Sequence, residues 1–209
     1  MHPLRRVSGF LFLSLFVYGL LVVPWPGVMD TYRMNAYRAY FCGGANAIFG
    51  TLGGAAISFK PITAPDHAKD TTVTMQPRRG PRGQFDMKSL YTGYRPTAFM
   101  IALVLATPIA WKRRLRALLW CLLWVHVFIA IRLDIRLLDA LSNADALAVF
   151  TFSPFWKNLL TALRLIFFGA PATDYTVPAF IWLLVCFRRG DLQRILGEQP
   201  TKSRVRGAS

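Results

Sequence analysis

The hydrophobic pattern is clearest in the middle of the chain, where two apolar runs flank a short basic segment. The runs are Thr97–Trp111 and Ala117–Ile131, and the segment between them is Lys112–Arg116. Apolar runs joined by a cationic turn are typical of a transmembrane helical hairpin. We expect the hairpin to bring the polar groups at its far end, Tyr91 and Arg132, to the same membrane face.

Two further apolar runs complete a prediction of four membrane spans. The first is Val7–Val23, and the last is Thr173–Phe187, extended by part of Leu165–Pro171. The first run ends without a small-residue cleavage motif, which indicates an uncleaved anchor. Basic residues before it, in the hairpin turn and in the tail 188–209 then all face the cytoplasm. The sequence therefore predicts an α-helical polytopic protein of the inner (plasma) membrane, with residues 1–209 as one membrane domain and both termini cytoplasmic.

The segment between the last two spans has a mixed character. Leu133–Phe168 carries several charged positions, but its second half, Phe150–Phe168, is rich in aromatic residues and leucine. This composition predicts a helix at the outer interface, with Trp156 and Lys157 near the lipid headgroups. The alternative makes Phe155–Phe168 another span, which would move the arginine-containing tail to the outer side against the positive-inside rule.

Residues 27–95 are too many for a simple loop and predict an extracytoplasmic insertion. A helix is expected over Tyr32–Cys42, interrupted by the glycines that begin at Gly43. After the glycines, apolar and polar residues alternate in three short stretches, which predicts a small three-stranded β-meander leading directly into Tyr91. The apolar positions of these stretches are Ile57 and Phe59, Val73 and Met75, and Phe85 and Met87.

Composition agrees with a membrane protein and argues against a nucleic-acid-binding one. The 209 residues are 54% hydrophobic with a mean hydropathy of +0.37, yet the chain has 25 Lys and Arg against 10 Asp and Glu. Cytoplasmic loops of membrane proteins carry such an excess. The basic residues lie beside apolar runs, and no nucleic-acid motif accompanies them. The expected partners are the lipid bilayer and other membrane segments, without nucleic acid.

The three cysteines, Cys42, Cys121 and Cys186, are far apart and lack metal-binding spacing. We expect neither a metal nor a cofactor. Cys42 lies near Arg38 on the predicted outer side and is a candidate nucleophile. The alternative is a packing cysteine at the end of a helix.

Arginines form a second group of candidate functional residues. On a helix, Arg132, Arg136 and Asp139 fall near one face at the outer end of the third span. Two interpretations of Arg132 stay open, an anchor to lipid headgroups or an inward donor to an anionic group or a carbonyl. Arg136 is interpreted as an anchor. Arg164 lies on the interfacial segment and could approach the same end of the bundle, and it is also interpreted as an anchor.

A short motif series joins these features over about Phe85–Leu138. An x-x-Gly element, Tyr91-Thr92-Gly93, opens a span, Ala106-Thr107-Pro108 precedes the basic turn, and the next span ends in Arg132. This arrangement resembles the exosortase/archaeosortase membrane proteins. In that family the element is Cys-x-Gly, and its Cys is the nucleophile of a transpeptidase that cuts a carboxyl-terminal sorting signal from exported proteins. A following Asn-x-x-Arg supplies an arginine, and a later His or Arg completes the site.

The chain departs from the family pattern at the catalytic positions. Tyr91 stands where the family has its catalytic Cys, and Ile129-Ala130-Ile131-Arg132 stands where Asn-x-x-Arg is expected. No histidine follows His126, so Arg164 is the candidate for the third position. A phenol is a far poorer acyl nucleophile at neutral pH than a thiol, and Thr92 has no evident base.

The resemblance therefore implies an exosortase-like protein that is catalytically degenerate and holds a transmembrane tail or a partner in protein export, sorting or surface-polymer secretion. One alternative is an active, divergent protease or transpeptidase that uses Tyr91, Thr92 or Cys42 together with Arg132. Another alternative is a structural subunit of a larger membrane complex. The candidate site residues are Arg132, Tyr91, Thr92 and Arg164.

Overall fold

The computed structural model describes residues 3–24, 28–52, 55–62, 69–76, 82–143, 153–168 and 172–187, and the predicted basic tail 188–209 lies outside them. Within these ranges the chain forms six α-helices, a π-helical turn and one antiparallel sheet. The helices are α1 (Pro3–Val22), α2 (Val28–Phe49), α3 (Arg95–Ala106), α4 (Trp111–Asn143), α5 (Pro154–Phe168) and α6 (Thr173–Cys186). The strands are β1 (Thr51–Leu52), β2 (Ala55–Pro61), β3 (Thr71–Gln76) and β4 (Gly83–Met87), and the π-helical turn is Leu90–Tyr94.

The sheet contains the three strands that the alternating pattern predicts, with the two-residue β1 added at one edge. Its order is β1-β2-β3-β4, and every neighbouring pair is antiparallel. Phe59 is opposite Val73, and Val73 is opposite Phe85. Because side chains alternate across a strand, these residues share one face with Ile57 and Met75, and that face packs on α2.

Helix α2 is longer than the sequence predicts. It runs from Val28 to Phe49 and passes through Gly43 and Gly44, where the sequence analysis placed an interruption. Glycine in a helix interior costs about 1 kcal/mol relative to alanine. That cost is offset because residues on both sides of the glycines, Phe41 and Phe49 among them, are buried against the sheet.

A buried carboxylate connects the sheet to the helices. Asp70 is 1% exposed and accepts hydrogen bonds from the backbone N–H groups of Ser89 (2.7 Å) and Leu90 (3.2 Å) and from the Thr71 hydroxyl (2.9 Å). Ser89 and Leu90 begin the helical segment that continues through the π-helical turn into α3. Asp70 therefore fixes the point at which the chain passes from the sheet into the helix bundle.

Helices α1, α4 and α6 pack around α3, and α5 packs on α4 and α6. Helix α3 ends at Ala106, so the second predicted span, Thr97–Trp111, is wrong at its end: Thr107 has an extended backbone and Pro108 follows it. Thr107 then organises the turn. Its hydroxyl donates to the Leu103 carbonyl (2.6 Å) and accepts from the Trp182 indole N–H (2.8 Å), and its carbonyl accepts from Arg114 (3.0 Å).

The last predicted span also needs a correction. Leu165–Phe168 belong to α5, and α6 is a separate helix of 14 residues, Thr173–Cys186, so the span does not borrow from the preceding segment. Within the described part of the chain, one helix is long and apolar enough to cross a membrane, over Trp111–Leu141 of α4, while Val7–Val22 and Thr173–Cys186 are apolar but shorter. The four-span topology remains a prediction.

Candidate functional site

Two arginines of α4, Arg132 and Arg136, lie on one face of the helix beside α5, α6 and strand β4. Arg132 is only 5% exposed, and its guanidinium donates to the carboxylate of Asp174, in the first turn of α6. The Arg132 Cζ atom also lies 4.9 Å from the ring centroid of Phe168 and 5.5 Å from that of Phe128. Arg132 therefore points into the protein, as one of its two interpretations expects. The anionic group that it binds there is Asp174, a carboxylate of the same chain.

Arg136, one turn further along α4, has different surroundings. Its Cζ atom lies 4.4 Å from the ring centroid of Phe168, so the two arginines share this ring. Among the described residues no carboxylate forms an ion pair with Arg136, and no side chain or carbonyl accepts a hydrogen bond from it. Its side chain is half-buried and lines a cleft.

The cleft has a volume of about 350 Å³ and lies between β4, α4 and α5. Within it Arg164 forms an ion pair with Asp139 (Nη1 to Oδ2, 3.4 Å), and the Arg164 side chain is 63% exposed. On the strand side, Asp86 is paired with Lys69 (3.3 Å) and accepts a hydrogen bond from Thr72 (2.8 Å). Counted over the residues that the structure describes, the cleft therefore has two neutralised pairs and one arginine without a partner of opposite charge.

Tyr91, at the position of the family nucleophile, lies between two cations. The Arg95 Cζ atom is 3.7 Å from its ring centroid, and the Lys88 Nζ atom is 4.4 Å from it. The Tyr91 side chain is 40% exposed. Within the described residues, no hydrogen bond or ring contact joins Tyr91 to Arg132. Both cations lie over the Tyr91 ring. These cation–π contacts pack the ring in place, and they do not activate the hydroxyl as a nucleophile.

Thr92 and Gly93 have structural explanations in the π-helical turn. Thr92 is 3% exposed, and its hydroxyl donates to the Lys88 carbonyl at 3.1 Å, so its proton is directed away from any base. A Cβ atom at Gly93 would collide with the Tyr37 hydroxyl and press on the Phe41 ring, both from α2. The glycine of the x-x-Gly element is thus required by the close packing of α2 on this turn.

Cys42, the other candidate nucleophile, is a buried residue of α2. It is 5% exposed, and its thiol is hydrogen-bonded to the Thr71 side chain, near Asp70. Burial raises the pKa of the Cys42 thiol above its ordinary value, and the contact with Thr71 offsets this only in part. A thiol that stays protonated and is shielded from solvent is a poor nucleophile, so the packing interpretation accounts for Cys42.

The structure brings together Arg132, Arg136, Asp139 and Arg164, and it leaves Tyr91 and Thr92 engaged elsewhere. Sequence reasoning missed Asp174, which is the partner of Arg132. A signal was present: Asp174 is an acidic residue at the start of one apolar helix, and Arg132 lies near the end of another. Ionisable residues in apolar helices usually pair with one another.

No three His, Cys, Asp or Glu side chains among the described residues are grouped in a way that could hold a metal ion. In comparisons with known proteins, no family model, no curated protein and no solved structure matches this chain. The resemblance to the exosortase/archaeosortase proteins therefore rests on the short motifs between Phe85 and Leu138 alone.

Proposed function

We propose that this chain is an integral membrane protein with an exosortase-like arrangement, catalytically degenerate, that holds a transmembrane tail or a partner helix during protein export or sorting. The observation that supports the proposal is that the candidate catalytic side chains are all engaged in structural contacts. Arg132, the arginine matched to the family, is bonded to Asp174, and each candidate nucleophile has other contacts, while a cleft stays open beside them.

Membrane placement is supported by the surface of α4. Its exposed large apolar residues form one continuous stripe from Leu115 to Ile131, about 25 Å long at 1.5 Å per residue. This length is close to the roughly 30 Å of a bilayer's hydrocarbon core. A stripe of this kind on a soluble monomer would be an unusually large exposed apolar patch. The stripe consists of Leu115, Leu119, Trp120, Leu123, Trp124, Val127 and Ile131.

Other helices support the same placement. Helix α1 exposes seven large apolar residues between Val7 and Leu20, and α6 exposes Phe180, Leu183 and Leu184. The segment Lys112–Arg116, predicted to be a turn, is the start of α4, and its Arg113 donates to the Cys186 carbonyl (2.9 Å) at the end of α6. The start of α4 and the end of α6 are thus at the same level, which agrees with a membrane bundle that has all its basic flanks on the cytoplasmic side.

The proposal is tested by the carboxyl ends of exported proteins. Whole-protein mass spectrometry compares the source strain, a strain lacking this gene, and the deletion strain complemented with Tyr91→Phe, Thr92→Ala or Cys42→Ala. A holding role predicts that all three variants restore whatever the deletion changes. If one variant fails to restore processing although it accumulates normally in the membrane, that residue is a nucleophile and the chain is an active transpeptidase.

The cleft itself is tested by photocrosslinking. A photoreactive amino acid at Ala140, which lines the cleft, is compared with one at Leu119 on the exposed apolar stripe. We expect Ala140 to give a discrete adduct with a hydrophobic protein segment, beside any lipid adducts, and Leu119 to give lipid adducts only. Equal adducts at both positions, or lipid adducts alone, would argue against a protein tail in the cleft.

A further inference from the structure

The charge arrangement of the cleft points to a binding site that the holding role does not require. Arg132 and Arg136 lie over the Phe168 ring, and Arg164 lines the cleft beside it; two of the three are neutralised, Arg132 by Asp174 and Arg164 by Asp139. Asp86, the remaining carboxylate of the cleft, has Lys69 as its partner. Among the described residues that line the cleft, Arg136 therefore leaves a surplus of one positive charge, held on a half-buried guanidinium.

The position of Arg136 along α4 sets the level at which a ligand would bind. Arg116, near the start of α4, and Arg136 are about 20 residues apart on this helix, which is about 30 Å. The exposed apolar stripe ends at Ile131, just before this level. If the chain is placed in the membrane as proposed, Arg136 lies at the depth of the lipid phosphates when Arg116 lies at the opposite interface.

The walls of the cleft indicate an amphiphilic ligand. Phe85 and Met87 of β4 and Ile135 of α4 line it together with Arg136, so apolar surface adjoins the cation. A guanidinium matches a phosphate by paired N–H···O bonds. The Arg164 side chain is largely exposed and lines the same cleft, so it offers a second donor.

From this arrangement we propose that the cleft between β4, α4 and α5 binds a phosphate group at Arg136, with the apolar wall receiving the adjoining part of an anionic lipid. The inference rests on the proposed membrane placement. One phosphate oxygen of negative charge balances the surplus charge of the cleft. The same chemistry is offered by inorganic phosphate, which is a second possible source of the ligand.

The test measures lipid binding to the full chain purified in detergent. Native mass spectrometry follows the binding of phosphatidylglycerol to the wild type, Arg136→Gln and Arg136→Lys. Loss of a charge-assisted contact predicts about tenfold weaker binding for Arg136→Gln. Arg136→Lys should bind with intermediate affinity, because it keeps the charge and loses the paired geometry. Arg116→Gln is the matched control, since it removes the same charge from the other end of α4, and it should change binding less than twofold.

Two further measurements distinguish a lipid phosphate from inorganic phosphate and test the cleft without changing a charge. Competition by inorganic phosphate at an affinity similar to that of the lipid identifies free phosphate as the ligand, and no competition identifies the lipid. Ala140→Leu narrows the cleft without changing a charge and should also weaken binding. Unchanged binding in both Arg136→Gln and Ala140→Leu overturns the proposal, as does Arg136-dependent binding of a fatty-acid carboxylate that exceeds that of the phospholipid.

The inference can fail separately from the proposed function. If the wild type sediments with membranes and resists carbonate extraction but binds lipid without regard to Arg136, only the phosphate site is wrong. If carbonate releases the chain from membranes, the membrane placement itself is wrong.

Discussion

Arg132 and Arg136 are one helical turn apart on α4, and their surroundings are opposite. Arg132 is buried and bonded to a carboxylate of α6, whereas Arg136 lines an open cleft and has no carboxylate partner within the described residues. Phe168 lies against both. The comparison teaches that sharing a helix face does not give two arginines the same role. The neighbouring helices decide it, because α6 supplies an anion to one and α5 leaves space beside the other.

Removal of Asp174 should have the largest effect. Asp174→Ala leaves the Arg132 guanidinium buried without its partner, and breaking a buried ion pair in this way costs about 3–5 kcal/mol of unfolding free energy. The double variant Arg132→Met/Asp174→Leu should recover most of the loss, because no uncompensated charge remains. Chemical unfolding in detergent measures both, and a loss below about 1 kcal/mol for Asp174→Ala would mean that the pair is not structural.

Asp70 is a second buried charged residue that, like Arg132, is hydrogen-bonded within the protein, and it lies beside the sheet. Asp70→Ala removes the acceptor for Ser89 N–H, Leu90 N–H and the Thr71 hydroxyl, and should cost about 2–3 kcal/mol. Hydrogen exchange should accelerate first at the Ser89 and Leu90 amides. Asp86→Ala, which removes a more exposed carboxylate of β4 that makes no contact with the Ser89 and Leu90 amides in the described structure, serves as the control and should cost less than about 1 kcal/mol.

Gly93 offers a comparison between a crowded glycine and an open one. Gly93→Ala should cost about 1–3 kcal/mol because its Cβ collides with the Tyr37 hydroxyl. Adding Tyr37→Phe should relieve part of that cost by removing the colliding oxygen. Gly43→Ala has nothing within 4 Å of its Cβ and lies inside α2, so it should stabilise the protein by about 0.5–1 kcal/mol. Equal effects of the two alanines on thermal unfolding would refute the packing explanation.

The smallest expected effect is that of Arg164. Arg164→Ala breaks an ion pair whose arginine is 63% exposed, so the loss should be below about 1 kcal/mol and should shrink as salt concentration rises. Unfolding at low and high salt measures this. A loss as large as that of Asp174→Ala would show that the two pairs of the site are equivalent, against the comparison drawn here.

Local patterns in the sequence predicted some of these elements well. The alternation at Ile57 and Phe59 and at Val73 and Met75 predicted strands, because a period of two depends on the strand alone. The common face of Arg132 and Arg136 followed in the same way from the helical period. Each of these inferences needed only one element and its geometry.

Other features depended on contacts between elements. The glycines predict a break in α2 when taken alone, because the packing of the sheet on Phe41 and Phe49 that offsets their cost is a contact between elements. The end of α3 at Ala106 depends on Thr107, whose hydroxyl is used by Trp182 of another helix. The pairing of Arg132 with Asp174 joins residues that are 42 positions apart, and no periodicity carries that information.

The central feature of the site is that Asp174 pairs with Arg132, whereas Arg136 has no carboxylate partner among the described residues. Two double-mutant cycles in the purified protein test it, one pairing Asp174→Ala with Arg132→Met and the other pairing Asp174→Ala with Arg136→Met. We expect a coupling energy of at least about 2 kcal/mol with Arg132 and below about 1 kcal/mol with Arg136. Equal coupling energies, or a larger one with Arg136, would contradict the account.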